Sequence, residues 1–192
     1  MYVLALNGSH NNDGNVAYLL NLILDYCKKM GADTEILSVH EAVTDAKIPF
    51  CVNCSTPCSK QCYRDTMLDV AYDKVSKADF VIFGSPVYFG SMSGQLKCFF
   101  DKTRAMRAEK KWLDKKMSVV SVGASKYGGQ EHTAESIIAC AQVSGMTVIG
   151  NSSESGMGHF GVLGQKPAME DEYAKAQAKI LAERIMGKIY ED

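Results

Sequence analysis

Short apolar runs alternate with segments of helical periodicity along almost the whole sequence. The first run, residues 2–6, is continuously apolar, and the residues after the next turn place apolar side chains three and four positions apart, as an amphipathic helix does. This alternation predicts strands at 2–6, 34–39, 80–83, 117–122 and 146–150, and helices at 16–27, 65–77, 93–104, 131–144 and 169–189.

The order of these elements predicts the fold class. Strands that are apolar throughout and alternate with helices are typical of a parallel sheet that is covered on both faces. We therefore predict an α/β fold, a three-layer sandwich around a five-stranded parallel sheet, in a single domain over residues 1–192. Ligands of such sheets bind beyond the carboxyl ends of the strands, so function is expected in the loops 7–17, 48–64, 84–93, 123–130 and 151–167.

Charge and cysteine content limit the partners that this chain is expected to have. With 21 Lys and Arg against 22 Asp and Glu, its net charge is −1, which gives no general attraction for nucleic acid or for an anionic membrane. The opening apolar run is too short for a signal peptide or a membrane span, which predicts a cytoplasmic protein. Seven cysteines in a reducing compartment favour metal binding or redox chemistry over disulfides.

Loop 7–17 joins the first predicted strand to the first predicted helix and consists mainly of small polar residues. Backbone amides at a helix N-terminus, together with Ser and Asn side chains, form a site for a phosphate group, whose charge the helix dipole also favours. The loop lacks the glycine patterns of dinucleotide and nucleoside triphosphate sites, so neither ligand is expected. The alternative is a plain turn in which Asp13 or Asn15 caps the helix.

Two further loops have a composition that suits a flat ligand. Loop 84–93 combines the rigid Pro86 with the flexible Gly90, and loop 123–130 contains three glycines. A rigid loop with backbone amides and aromatic neighbours suits a ring that is bound by its edge, and glycines let backbone approach a ligand. The alternatives are a hydrophobic turn with a helix cap at Ser91 or Ser93, and an ordinary glycine turn.

Four cysteines lie within the twelve residues 51–62, inside a cysteine-rich loop at 48–64. Closely spaced thiolates on a short loop can surround an iron–sulfur cluster. Structural zinc sites more usually divide their ligands between two separated pairs. An iron–sulfur cluster is therefore the first interpretation of this segment, with zinc and unliganded thiols as the alternatives.

Taken together, segments 8–16, 85–97 and 123–131 resemble the motifs of the NADPH-dependent FMN reductase family of flavodoxin-like proteins, and the likeness covers nearly the whole chain. Asn11 and Val16 stand where the family often has Arg and Thr. The resemblance implies a flavodoxin-like fold, an FMN cofactor and NAD(P)H as a possible electron donor. It also implies that the FMN phosphate is held by Ser9, Asn11, Gly14, Asn15, Val16 and Ala17, and that the flavin ring is lined by Pro86, Val87, Tyr88, Phe89, Gly90, Gly123, Ser125, Tyr127, Gly128 and Gly129.

The cysteine segment is similar to that of the iron–sulfur flavoproteins, a branch of the same family in which a four-iron cluster lies beside the FMN of a neighbouring subunit. The later gaps between its cysteines differ from the usual spacing of that branch. The resemblance implies a homodimer or homotetramer and a possible redox partner such as a ferredoxin. It implies that a 4Fe–4S cluster is ligated by Cys51, Cys54, Cys58 and Cys62.

The predicted function is therefore electron relay between the cluster and FMN, which requires no acid–base residue. Two alternatives are an NAD(P)H-dependent FMN, quinone or nitro-compound reductase without a cluster, and a zinc-stapled module that binds a phosphate ligand. The three other cysteines fall on helical patterns and are interpreted as core residues. The basic run 102–116 is interpreted as a solvated helix end and turn, with a subunit contact through Trp112 as the alternative.

Overall fold

A parallel sheet forms the centre of the molecule. The structure, a computed structural model, describes residues 1–154, 156 and 158–188. Within them, the strands are β1 (Tyr2–Asn7), β2 (Asp33–Ser38), β3 (Phe80–Pro86), β4 (Lys116–Gly123), β5 (Thr147–Val148) and β6 (Gly161–Gln165). Their order is β2-β1-β3-β4-β5, β6 also pairs with β4, and every pairing is parallel.

Helices cover both faces of the sheet. They are α1 (Asn15–Lys29), α2 (Val39–Asp45), α3 (Met67–Lys77), α4 (Gly94–Asp101), α5 (Arg104–Ala108), α6 (Gln130–Val143) and α7 (Glu172–Ile185). One apolar core lies between the sheet and α1 and α7, and a second lies between the sheet and α2 to α6. The predicted three-layer α/β sandwich is confirmed. The predicted helix 169–189 corresponds to a 3₁₀ turn at Ala168–Glu170 and α7, and its residue 189 lies outside the described residues.

Two short strands share the fifth position of the sheet. β5 pairs with the first residues of β4, and β6 pairs with its last five residues. Gly161 allows the second pairing, since its φ is 144° and a Cβ there would lie 2.2 Å from the carbonyl oxygen of Val119. The predicted strand 146–150 is therefore too long, and the predicted loop 151–167 is wrong where it contains β6, because the chain leaves the sheet edge after β5 and returns to it.

Two predicted boundaries are wrong because Ser and Thr side chains make local hydrogen bonds. Ser38 ends β2, since its Oγ accepts a hydrogen bond of 3.3 Å from the Glu41 amide and caps α2, a helix that the sequence pattern does not predict. The predicted helix 93–104 is divided into α4 and α5. Between them, the Thr103 hydroxyl donates a 2.7 Å hydrogen bond to the carbonyl of Phe100.

The basic run 102–116 is exposed at residues 107–111, as its composition predicts, but not at Lys102 or Trp112. Trp112 is 0% exposed, stacks on Phe99 with ring centroids 6.1 Å apart, and donates a hydrogen bond from Nε1 to the Ser76 hydroxyl. Lys102 is also buried. The prediction is wrong at both residues because aromatic packing draws this segment into the core. A subunit contact through Trp112 is excluded for the same reason.

None of the described helices combines the length and the apolar character that a membrane-crossing segment requires.

Candidate functional site

Three of the predicted loops meet at the carboxyl end of the sheet. The Gly8 amide donates a 2.8 Å hydrogen bond to the carbonyl of Gly84, and a Cβ on Gly8 would lie 2.6 Å from that oxygen. The Ser93 hydroxyl in turn donates to the carbonyl of Gly8 at 2.6 Å. The Tyr88 hydroxyl lies 3.3 Å from His10 Nδ1. Loops 7–17 and 84–93 therefore form one continuous surface.

Loop 7–17 is held in shape by its own side chains. The buried Asn7 accepts a hydrogen bond from the Ser9 amide at 3.0 Å. Ser9 Oγ accepts from the Asn11 amide at 3.1 Å, and Asn11 Oδ1 accepts from the Asp13 amide at 2.9 Å. Each polar side chain thus fixes the backbone two residues further on, an arrangement that favours a turn over a helix or strand. The loop is shaped before any ligand binds.

The first turn of α1 leaves its amides open. Gly14 is the N-cap and provides no side-chain cap, and the Asn15 side chain instead accepts a hydrogen bond from the Ala168 amide at 2.7 Å. The prediction that Asp13 or Asn15 caps this helix is therefore wrong. Among the described residues, none accepts a hydrogen bond from the first-turn amides, which belong to Asn15, Val16 and Ala17. Three aligned donors at the positive end of a helix dipole fit a phosphate group.

The tip of loop 84–93 presents aromatic side chains. Tyr88 and Ser91 exchange backbone hydrogen bonds of 2.9 and 3.1 Å, and the two residues between them, Phe89 and Gly90, have positive φ angles of 51° and 73°. This tight turn leaves the Phe89 side chain fully exposed and Tyr88 partly exposed. Ser93 rather than Ser91 caps α4, because its Oγ accepts from the Leu96 amide.

Loop 123–130 is organised by a residue that composition does not reveal as important. The buried Gln130 side chain donates from Nε2 to the carbonyls of Ser125 at 2.6 Å and Gly164 at 3.2 Å. Its Oε1 accepts from the Gly128 amide at 2.8 Å. A Cβ at Gly123 would lie 2.6 Å from Gln130 Nε2, so glycine is needed for this approach. Gln130 therefore fixes the shape of the loop and its distance from β6.

Loops 84–93 and 123–130 are also in contact. A Cβ at Gly129, where φ is 90°, would lie 3.3 Å from Gly90 Cα and 3.4 Å from a methyl of Val87. Tyr127 is 90% exposed beside this contact. A cavity of about 930 Å³ adjoins the same loop, and Tyr127, Gln130 and Leu163 are among the residues that line it. Exposed aromatic groups and open backbone at adjoining loops suit a flat ring.

The cysteine segment 51–62 lies between α2 and α3, and Arg104 at the start of α5 helps to fix it. The Arg104 guanidinium donates to the Ser55 carbonyl and to the Thr56 hydroxyl, both at 3.2 Å. At the end of the segment, the Lys47 amide donates to the Cys62 carbonyl at 3.0 Å. All seven cysteines of the chain are free thiols. Cys54 is exposed, whereas the other three cysteines of the segment are half-buried.

The thiols of this segment are not assembled into a metal site. Among the residues that the structure describes, no three His, Cys, Asp or Glu side chains are grouped closely enough to hold a metal ion. A 4Fe–4S cluster binds each thiolate through a different iron, so its ligands lie farther apart than those of one ion. Ligation by all four cysteines of residues 51–62 stays a prediction.

Two buried donors nevertheless face these thiols. The ammonium of Lys102 lies 3.2 Å from Cys62 Sγ. The Tyr63 hydroxyl is buried, and within the described part of the chain it has no hydrogen-bond partner. Burial raises the pKa of Tyr63 and keeps its proton available for donation. An unpaired donor and a cation beside free thiols fit an anionic group bound through sulfur.

Cysteines outside the segment are poor candidates for ligands. Burial raises the pKa of Cys27 to about 12 and also raises the pKa of Cys98 and of Cys140. A metal ligand must be a thiolate, which a raised pKa disfavours. The core interpretation is confirmed for Cys27, and the other two cysteines pack at the edge of the core.

Comparison with known proteins agrees with this geometry. The sequence pattern of the NADPH-dependent FMN reductases matches residues 1–159, which contain loops 7–17, 84–93 and 123–130 and the cysteine segment. The chain belongs to the NADPH-dependent FMN reductase family. As a member of this family it is a flavin-dependent oxidoreductase.

Similar proteins within and around the family include iron–sulfur flavoproteins. The chain is 32% identical over 174 residues to the iron–sulfur flavoprotein of Methanosarcina thermophila, a match that covers 89% of this chain and 86% of that one. It is 30% identical over 194 residues to the iron–sulfur flavoprotein of Archaeoglobus fulgidus, covering 97% and 94% of the two chains.

The fold of this family member is flavodoxin-like. The crystal structure of the flavodoxin, WrbA-like protein from Agrobacterium tumefaciens superimposes with a TM-score of 0.70 and 16% sequence identity. The superposition covers 97% of this chain and 95% of the other. Agreement at such low identity shows that the fold is shared.

The structure also assigns positions to residues that the sequence-based site prediction omits. Gln130 shapes the third loop, and Gly8 and Ser93 connect the first two loops. The signal for Gln130 is its place directly after the Gly128-Gly129 pair of a family motif. Nothing in the local sequence indicates the link between Ser93 and Gly8, because the two residues are 85 positions apart.

Proposed function

We propose that this protein is an FMN-binding redox protein that carries a 4Fe–4S cluster on residues 51–62 and relays electrons between the two groups. One observation carries the proposal: a segment with four free thiols contacts the buried Lys102 ammonium through Cys62. The open amides of the first turn of α1, after loop 7–17, supply the site for the FMN phosphate. Bound FMN would supply one- and two-electron chemistry at its ring, and the cluster would supply one-electron chemistry. The similarity to two iron–sulfur flavoproteins supports this assignment.

The phosphate of FMN would be held mainly by backbone donors. The amides of Asn15, Val16 and Ala17 are open, while the side chains of Ser9 and Asn11 are occupied in shaping the loop. No acidic residue stands in the first turn of α1 to repel the phosphate. The helix dipole adds a favourable interaction, which replaces part of what an Arg in this loop provides to other family members.

The flavin ring would lie between loops 84–93 and 123–130. Phe89 and Tyr127 provide exposed aromatic surface, and the glycines of the second loop bring its backbone amides to the polar edge of the ring. The protein thus orients the ring and shields part of it from water. NAD(P)H is the proposed electron donor, since the family pattern is that of NADPH-dependent enzymes.

Replacing Gln130 by Leu is expected to weaken FMN binding. Leu has nearly the same size, but it leaves the Gly128 amide and the Ser125 carbonyl without their partner. The loop then loses its fixed shape, and we expect the dissociation constant of FMN to rise about tenfold, which is about 1.4 kcal/mol. Unfolding of the flavin-free protein should be easier by about 1–3 kcal/mol. Fluorescence titration with FMN and urea unfolding measure the two effects.

The exposed Gln142 of the same helix is the matched control for this change. Gln142→Leu makes the same substitution in α6, but at a position that does not contact loop 123–130. The affinity for FMN should therefore stay at the wild-type value. Equal affinity of the Gln130 and Gln142 variants would show that Gln130 does not shape the flavin site.

The surfaces next to the two sites suggest how subunits assemble. Phe89 and Tyr127 are exposed at the flavin loops, and Phe50 and Val52 are exposed beside the first cysteine of the segment. We propose that a homodimer or homotetramer buries these groups and brings the cluster of one subunit to the flavin of another. A ferredoxin is a possible redox partner, and the cytoplasm is the proposed location because its reducing conditions keep the thiols free.

Protein that is purified without oxygen tests the proposal directly. We expect FMN in the released cofactor fraction, iron and sulfide in the protein, and an electron paramagnetic resonance signal after reduction. FAD, or no flavin after reconstitution, would contradict the flavin assignment. Zinc in place of iron would support the zinc-stapled module instead.

A second candidate function is an NAD(P)H-dependent FMN, quinone or nitro-compound reductase without a cluster. The observation that favours it is that no three of the described His, Cys, Asp or Glu side chains are grouped closely enough to hold a metal ion. Anaerobically prepared protein that contains flavin but no iron, and that is reduced rapidly by NAD(P)H, would establish this function in place of the first.

A further inference from the structure

Lys102 is a buried cation without an anionic carboxylate partner. Lys102 is 2% exposed, and its ammonium lies 3.2 Å from Cys62 Sγ. The neighbouring Asp101 is engaged with Lys97 at 2.5 Å, and none of the described carboxylates forms an ion pair with Lys102. Burying an ammonium without an anion is costly, so lysines that are this deeply buried are normally paired. The sulfur of Cys62 is the partner that the fold provides.

The end of α4 fixes this cation in place. Lys102 is the C-cap of the helix, and its amide donates to the carbonyls of Cys98 and Phe99, both at 3.3 Å. Two residues later, Arg104 places a second cation on the Ser55 carbonyl of the cysteine segment. The corner between α4 and α5 therefore places one positive charge at the middle of residues 51–62 and one at their end. This arrangement fits a segment that acquires negative charge.

We propose that Lys102 is the fixed counter-charge of the cluster and a positioning residue for Cys62. The inference rests on the proposed function. A cluster held by four thiolates is negatively charged, and its charge becomes more negative by one when it accepts an electron. A cation held in a dry position beside one ligand stabilises the reduced form more than the oxidised form. Lys102 would therefore raise the reduction potential of the cluster and strengthen its attachment through Cys62.

Lys102→Met is the variant that isolates the charge, because Met retains much of the apolar stem. We expect the equilibrium constant for one-electron reduction of the cluster to fall at least about tenfold, which lowers the reduction potential by about 59 mV. Release of iron to a chelator should become faster. Potentials are measured by anaerobic titration with dithionite, followed by electron paramagnetic resonance.

Two further variants control for loss of charge in general. Lys102→Arg keeps a cation and should keep a potential closer to the wild-type value than Lys102→Met does. Lys97→Met removes a positive charge from the exposed face of the same helix, where solvent screens it, and should leave the potential unchanged. Loss of the cluster from Lys102→Met, while Lys102→Arg and wild type retain it, would also support the inference.

The metal-free protein separates an electrostatic role from a structural one. Without the cluster, Lys102→Met should melt at the same temperature as the wild type or higher, because a buried charge has been removed. Cluster binding should raise the melting temperature of Lys102→Met by less than it raises that of the wild type. An equal fall in the melting temperature of both forms would mean that Lys102 is merely structural and would overturn the inference. An unchanged potential in Lys102→Met would overturn it as well. Iron-free wild-type protein after anaerobic reconstitution would instead refute the proposed function, and the inference with it.

Discussion

Replacing Cys54 by Ala is expected to remove the iron from this protein and leave its flavin in place. Cys54 is the exposed cysteine of the segment, so the change costs the fold little. As a ligand, however, Cys54 has no substitute among the three cysteines outside the segment, because burial raises the pKa of each of them and disfavours the thiolate. Mutating a residue that merely hydrogen-bonds to a metal ligand lowers metal affinity about 10- to 100-fold. Loss of a ligand itself should therefore reduce bound iron by at least about tenfold.

The matched control is Cys140→Ala on α6, which removes a thiol that lies outside the segment. Iron per protein, sulfide per protein and flavin per protein are measured on both variants after identical anaerobic reconstitution. The Cys140 variant should match the wild type in all three, and the Cys54 variant should match it only in flavin. Full iron content in the Cys54 variant would show that Cys54 is not a ligand of the cluster.

Much of the fold could be predicted because the central strands β1 and β3 contain uninterrupted apolar runs. Residues 80–83 of β3 are fully buried on both faces, and no amphipathic pattern competes with a strand there. The sequence pattern fails where single contacts decide the outcome. Ser38 begins a helix by capping it, and Gly161 allows β6 to approach Val119. Neither event changes the hydrophobic periodicity that a sequence-based prediction uses.

The candidate site could be predicted to the level of loops but not of individual side chains. Asn15 illustrates the difference, since its position after Gly14 predicts a cap or a phosphate ligand, whereas its side chain binds the Ala168 amide 153 residues away. Lys102 illustrates it too. A lysine in a basic run is ordinarily solvated, and only the packing of α4 against the core shows that this one is buried beside Cys62. Such long-range contacts leave no local trace in a single sequence.

An Asp at position 14 is expected to stabilise the flavin-free protein and to abolish tight FMN binding. Gly14 has an extended backbone that any residue can adopt, with φ −87° and ψ −175°. Its Cβ would lie 3.2 Å from the Asn11 side chain, which has to shift by only a few tenths of an ångström. An Asp at this N-cap can accept hydrogen bonds from the open amides of Val16 and Ala17, which should stabilise the fold by a few tenths of a kcal/mol. The melting temperature should therefore rise by about 1–2 °C.

The same carboxylate occupies the donors that the FMN phosphate needs, and it repels the phosphate. We expect the dissociation constant of FMN to rise at least about 100-fold, or about 2.8 kcal/mol, in Gly14→Asp. Gly14→Asn has the same shape and caps the same amides without a charge, so its dissociation constant should lie between those of wild type and Gly14→Asp. Fluorescence titration gives the affinities, and thermal unfolding of the flavin-free proteins gives the stabilities. Because stability and affinity should change in opposite directions, a fall in both would indicate a damaged loop, whereas wild-type affinity in Gly14→Asp would place the phosphate away from the N-terminus of α1.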